Sequence, residues 1–460
     1  MSEPPRALTA ALSRFIAGSA AADWPEDILE LGRRHILDTI AAIVVCGDRE
    51  SARLAREFAL RQSGHVSGGA PILGTRSRAS LPDAIFASAM TAHGAEINDF
   101  CPSAFVQPGP SVVSAGICVA EVDHTSGPAL LRAVIAGYEL CCRLPKALGI
   151  DRGRRLGYSS HGYGPVFGTA ATIASLRRYP EATVNHMLSY CAQQASGSLQ
   201  WLLDVGHVEK SFVFAGMPAR NGAHAALLAE SGFTGVPDSL DATGGWFTSR
   251  LFRAEGSDFN PGYLVEDLGT RFEMPLVAYK RFPVGGPTQP IVQAMLELSP
   301  RVRREEVARI EVEMPGSVNA FVHARMPALN LPYLCSVILI DGTLTFETAD
   351  SLERMSTDAE VQQLMTRVSV THDPAQEAVP RKESARVTIR LQGGRSESVF
   401  IEHVKGYPAN PLSHADVESK ARELMGPLLG PAKTNALIDL VWRIDELSDA
   451  GALAVAMVAS

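Results

Sequence analysis

Strand-like alternation is nearly absent from the first 300 residues of this 460-residue chain, and that limits the fold more than any other feature. Apolar residues recur there at helical spacing, in Ala-, Leu- and Ile-rich segments divided by Gly and Pro: 28–45, 51–61, 83–96, 111–122, 130–148, 169–177, 181–197 and 219–231. Ser80, with Asp83 three residues later, reads as a capping pair opening the helix that carries His93. Period two appears only beyond about residue 275, in ARIEVEM (308–314), ARVTIRL (385–391) and SVFIEHV (398–404). Helical stretches lie before and between these strands, at 290–298, at 331–340 and after a capping box formed by Thr357 and Glu360. Beyond Pro408 the pattern is helical again (VESKARELM, ALIDLVWRIDEL). A chain of this length exceeds one hydrophobic core. The expected fold is therefore mainly α: a large all-helical domain from residues 1–272 and 409–460, with a smaller α+β domain, 273–408, inserted between them.

Charge and cysteine usage exclude several function classes. A net charge of −8 leaves no basic face for nucleic acid, and the short clusters at 152–155 and 301–304 read as solvated turns or helix ends. The apolar run 40–46 is too short to span a bilayer, and the N-terminus is polar and Pro-bearing rather than signal-like. Seven scattered cysteines, with no C-x-x-C or H-x-x-x-H pair, suit reduced core residues of a cytoplasmic, metal-free protein.

One segment concentrates candidate chemistry. HVEKSFVFAGMPARNGAHAALLAESGFTG (207–235) sets Lys210 just before an Ala-rich helix expected from about Pro218 to Gly232. Ala219, Gly222, Ala223 and Ala226 recur at helical spacing for close helix packing, and Gly232 is free to take the left-handed stop conformation. Lys210 reads either as a surface lysine at a helix start or as a group that holds a carboxylate or a developing enolate. His161 lies in GYSSHGYGPVFG, where glycines 157, 162, 164 and 168 allow close backbone approach to a ligand; it is either a turn-stabilising histidine or a general acid/base. No strand precedes that loop and no GK[ST] follows, so it is not a phosphate loop. Lys280 and Arg281 open KRFP, and AHGAEINDF places His93, Glu96 and Asp99 on one helix face if the helix continues. Tyr333 starts an apolar helix and reads equally as a core aromatic.

These segments, taken in order with HGYGPVFGTAATIASL (161–176), YKRFPVGGPTQPI (279–291), NLPYLCSVILIDG (330–342) and KGYPANPLSHADVESK (405–420), resemble the MmgE/PrpD family along essentially the whole chain. That family includes 2-methylcitrate dehydratase, cis-aconitate decarboxylase and iminodisuccinate epimerase. The resemblance implies a helical domain with an inserted α+β lid, a homodimer, no cofactor, and a small polycarboxylate substrate bound at the cleft. It places His161, Lys210, Lys280, Tyr333, Glu96 and Asp99 in catalysis, with His93, Gln107, Gln289 and Arg281 binding substrate.

The sequence departs from the family at several of these positions. Glu96 and Asn98 stand where the family's H-x-x-D-x-D-D pattern has aspartates, and Gln107 and Gln289 stand where histidine is frequent. Glutamine hydrogen-bonds but cannot shuttle a proton near neutral pH. The expected function is a cofactor-independent lyase, of dehydratase or decarboxylase type, abstracting a proton α to a carboxylate. The alternatives are an isomerase or epimerase on a similar dicarboxylate and a catalytically silent carboxylate-binding protein.

Overall fold

The computed structural model describes residues 7–64, 68–254, 256–378 and 383–459. The start of the polar N-terminal stretch, residues 1–6, lies outside them.

The first half is built from helices around Gly164–Leu176, which is buried along its whole length. Helices Pro108–Asp123, Gly127–Leu148 and Met217–Glu230 pack against it. Small residues set how closely they approach. A Cβ on Gly222 would lie 2.4 Å from the Val166 carbonyl oxygen, and one on Gly168 would lie 2.8 Å from that of Gly137. Ala219, Ala223 and Ala226 are buried on the same helix, as their spacing predicts. Gly232 (φ +88°) ends it, with Phe233 N–H donating to the Leu228 carbonyl at 3.0 Å.

The last helices return to this body. His414–Leu429, opened by a reciprocal cap between Ser413 and Asp416, lies against Glu26–Val45, and Pro431–Trp442 packs on both. Apolar residues from Leu8 to Tyr279 share one core with those from Leu412 to Met457, whereas residues 278–407 gather, with Phe100, around another.

The second core lies under a four-stranded sheet in the order Val368–His372, Val307–Met314, Ala385–Leu391, Ser396–Ile401. The first pair is parallel and the others antiparallel. Alternate residues of Ala385–Leu391 are buried, and helices Gln289–Leu298 and Leu331–Asp341 lie against the sheet. Strand Val368–His372 is absent from the sequence expectation, because VSVTH alternates over only five residues.

Two local expectations are corrected. Thr357 ends helix Leu352–Thr357, and the cap of the next helix, Ala359–Met365, is Asp358, whose carboxylate accepts from the Glu360 and Val361 amides. Ser80 stands at the N-cap of helix Leu81–Ala92, but its hydroxyl bonds the Asp83 carboxylate at 2.7 Å rather than a backbone amide, and the helix stops at Ala92. His93, Glu96 and Asp99 therefore do not share a helix face. The chain turns at Gly94, where a Cβ would stand 2.8 Å from the Cys46 Cβ. No helix among the described residues is long and apolar enough to cross a membrane.

Candidate active site

The irregular segment after Ala92 carries Glu96 into the interior. A two-way backbone bridge between Phe100 and Ala278, at 2.9 and 2.7 Å, fixes that segment beside the chain that bears Lys280. Tyr279 is held from its other side by a 2.8 Å bond from its amide to the Gly406 carbonyl. Gly406 (φ +102°) has no alternative there, since a Cβ would lie 2.3 Å from the Tyr279 oxygen. The KGYP segment thus seats Lys280.

Lys210 arrives from a different direction. It lies in the short helix Val208–Ser211, with its amide bonded to the Asp204 carboxylate at 2.8 Å. A π-helical turn, Phe212–Gly216, joins this helix to Met217–Glu230. Wide turns of this kind re-aim side chains, often at functional sites. Here Phe214 is directed inward, its ring 3.5 Å from that of His161 in a near-parallel stack. Trp201 meets both rings edge-on.

These elements converge on one buried carboxylate. Lys210 Nζ contacts Glu96 Oε1, Lys280 Nζ lies 2.9 Å from Oε2, and His207 Nε2 is 3.2 Å from Oε1. Each of these side chains is at most 4% exposed, so the charges interact with little water between them. Burial raises the Glu96 carboxyl, but Lys210, Lys280 and the His207 hydrogen bond outweigh it and hold the group well below the ordinary carboxylate range. Lys280 is lowered, first by burial and then by Lys210, against the pull of Glu96. With two ammonium groups around one carboxylate, the cluster keeps an excess positive charge.

Histidines frame the cluster. His93 stacks on His207 at 5.0 Å, and neither ring nitrogen of His93 has a hydrogen-bond partner among the described residues; the same holds for His161 Nδ1. Burial pushes His93 and His161 well below their usual value, and both lysines add to it; His207 also lowers His93. Both rings are therefore neutral near pH 7, as a proton acceptor must be.

The other candidate residues take different places. Gln107 reaches the cluster: its Oε1 lies 3.4 Å from Lys280 Nζ and accepts from Asn98 Nδ2 at 2.5 Å. Asp99 points away from Glu96 and accepts from the Tyr138 hydroxyl at 2.5 Å and the Gly109 amide at 3.0 Å, with His35 Nδ1 lying 3.0 Å away. Gln289 bonds the backbone of Phe282 and Val284, bracing the loop after Lys280. Arg281 pairs with Glu423 at 3.1 Å on the partly exposed rim. The Tyr333 hydroxyl donates to the Thr348 carbonyl at 2.5 Å inside the second core. The glycines around His161 serve protein packing: a Cβ on Gly162 would sit 1.8 Å from the Ser196 oxygen and one on Gly164 2.5 Å from that of Cys141.

Sequence reasoning passed over His207, although it stands three residues before Lys210 and holds a left-handed φ of 58°. It also passed over Asp350, from the second core's side. Arg49 lies 3.8 Å from Asp350 and 4.3 Å above the Phe346 ring, tying that side to the helical body. Burial raises the Asp350 carboxyl, while His207, Arg49 and Lys210 oppose the rise, which puts it in electrostatic range of the cluster. Among the described residues, no group of three His, Cys, Asp or Glu side chains is arranged to hold a metal ion.

The MmgE/PrpD N-terminal domain matches residues 10–257, and the MmgE/PrpD C-terminal domain matches residues 282–445. Cis-aconitate decarboxylase of Aspergillus terreus (strain NIH 2624 / FGSC A1156) is 24% identical over 96% of this chain and 94% of its own. Cis-aconitate decarboxylase of Homo sapiens is 20% identical over 97% of this chain and 94% of its own. The chain belongs to the MmgE/PrpD family and is an enzyme.

Proposed function

We propose that the protein is a cofactor-independent lyase acting on a small di- or tricarboxylic acid by removing a proton α to a carboxylate. The observation that carries this reading is the buried Lys210–Glu96–Lys280 cluster, with its excess positive charge, beside neutral histidines. A substrate carboxylate supplies the missing negative charge. As the α proton leaves, negative charge moves onto that carboxylate, and the two ammonium groups stabilise it more than they stabilise the ground state. His161 takes the proton on its neutral ring, while the stack on Phe214 fixes the ring's orientation. Gln107 offers a neutral hydrogen bond beside Lys280. His93 and Arg281 belong to substrate binding in this reading. Asp99, Gln289 and Tyr333 act through the framework, as their hydrogen bonds indicate.

The substrate sits between a helical domain, residues 1–272 with 409–460, and a lid, residues 273–408; the separate apolar cores support that division. The enzyme is taken to be a cytoplasmic homodimer. Seven buried free thiols support a reducing compartment, and light scattering tests the dimer.

The names of the relatives make cis-aconitate the first acid to test. The enzyme is incubated in D2O with cis-aconitate and a panel of di- and tricarboxylates, and products are followed by NMR. Loss of CO2 with deuterium on carbon, or loss of water, supports a lyase. Deuterium incorporation without either loss supports an isomerase or epimerase, and neither product nor incorporation with any acid overturns the catalytic reading.

A further inference from the structure

Behind the Glu96 cluster lies a second buried charged layer that no step above uses. Lys420, from helix His414–Leu429, is 2% exposed. Its Nζ donates to Asp38 Oδ1 at 2.6 Å and to the carbonyl of Ile97, the residue after Glu96, at 2.7 Å. Beside it, His35 Nδ1 lies 3.0 Å from the Asp99 carboxylate, and its ring stacks on Tyr279, the residue before Lys280, at 4.4 Å. This layer therefore grips both chain segments that form the ion pair. A backbone carbonyl this deep needs a donor, and an ammonium is a strong one. A cation buried so close also acts on the other cations of the site through a poorly screening medium.

We propose that Lys420 is a positioning residue for the Glu96–Lys280 pair, fixing the backbone beside Glu96 and acting by charge on Lys280 from behind. The proposal rests on the reading that Glu96 and Lys280 are the substrate-holding groups. Glu96, Lys210 and Lys420 are the charged groups acting on Lys280, and burial lowers it first; Lys420 adds to that lowering. Asp38 and Ile97 take two of the three Lys420 donors, with Asp99 and His35 in electrostatic reach of Asp38.

The test uses the full chain with Lys420→Met, Lys420→Arg and the pair Asp38→Asn with Lys420→Met, which leaves no orphaned carboxylate if the single Met variant fails to fold. The Lys280 ammonium is titrated by NMR with labelled lysine, assigned by Lys280→Arg, in variants that melt cooperatively. Lys280 is expected to titrate at higher pH in the Met variants and to return to the wild-type value in Lys420→Arg, with kcat/KM on any acid the wild type turns over falling about tenfold or more and rescued likewise. An unmoved Lys280 titration in a folded Met variant overturns the proposal, whatever happens to turnover. Failure of the catalytic reading appears separately, as a wild-type enzyme inert toward every acid in D2O while the Lys280 titration still responds to Lys420.

Discussion

Lys280 Nζ stands 2.9 Å from Glu96 Oε2, with the lysine 1% and the glutamate 2% exposed, and Lys210 holds the other oxygen of the same carboxylate. Burying such charges is costly, and the arrangement survives because each compensates the others. Glu96 thus holds two lysines in place beside neutral histidines.

Removing the carboxylate takes away the side-chain anion that both buried lysines contact. Glu96→Gln is expected to lower the free energy of unfolding by about 3–5 kcal/mol, the usual cost of breaking a buried pair from one side. Urea titration at pH 7 measures it, and a loss below about 1 kcal/mol would show that Glu96 does not hold the lysines.

Each lysine should matter separately to turnover. Lys210→Ala and Lys280→Ala are expected to weaken binding of the carboxylate and to raise the barrier by ~3 kcal/mol, about a hundredfold or more in rate. Steady-state kinetics on the acid identified in D2O checks this. A double variant retaining full activity removes both residues from the mechanism.

Gln289 gives a prediction of the opposite kind. Its side-chain amide donates to the Phe282 and Val284 carbonyls and accepts from the Phe282 amide. An imidazole cannot supply two donors and an acceptor in that geometry. Gln289→His is therefore expected to cost about 1–3 kcal/mol of stability and to add no proton-transfer activity. A variant as stable as wild type, with a new pH-dependent rate, would contradict that.

The helical body, the three alternating strands and the isolation of Lys210 were legible because each is a local pattern. Lys210 stood out through the scarcity of charge around it, and Gly222 through its helical spacing with alanines. What escaped was fixed by distant partners. Asp99 shares a three-residue spacing with Glu96, yet Tyr138, 39 residues away, and Gly109 claim its carboxylate once the helix stops at Ala92. Lys420 meets Asp38 across 382 residues, which no periodicity reports. Tyr333 and Gln289 look like site residues in their motifs, but nearby backbone groups satisfy their polar atoms.

Burial and nearby lysines hold His161 and His93 well below the ordinary imidazole value of 6.5, so the folded protein keeps them neutral where the unfolded chain takes up protons. Between 6.5 and the folded values the unfolded state binds more protons, so stability must fall as pH falls through that window and be fully present above it. Glu96, held below its ordinary 4.5, adds a second loss only at lower pH. His161→Gln should remove part of the slope below pH 6.5 while leaving the slope below 4.5 in place, as read from denaturant unfolding at stepped pH. The same substitution keeps hydrogen bonding but no proton acceptor, so kcat should collapse with KM little changed. In the wild type, kcat/KM should not begin to fall until pH drops well below 6.5, because a base with a depressed proton affinity stays free. An acid limb centred at 6.5, or near-normal turnover in His161→Gln, would assign the proton to another group, and His93 and the lysines would be the next to test.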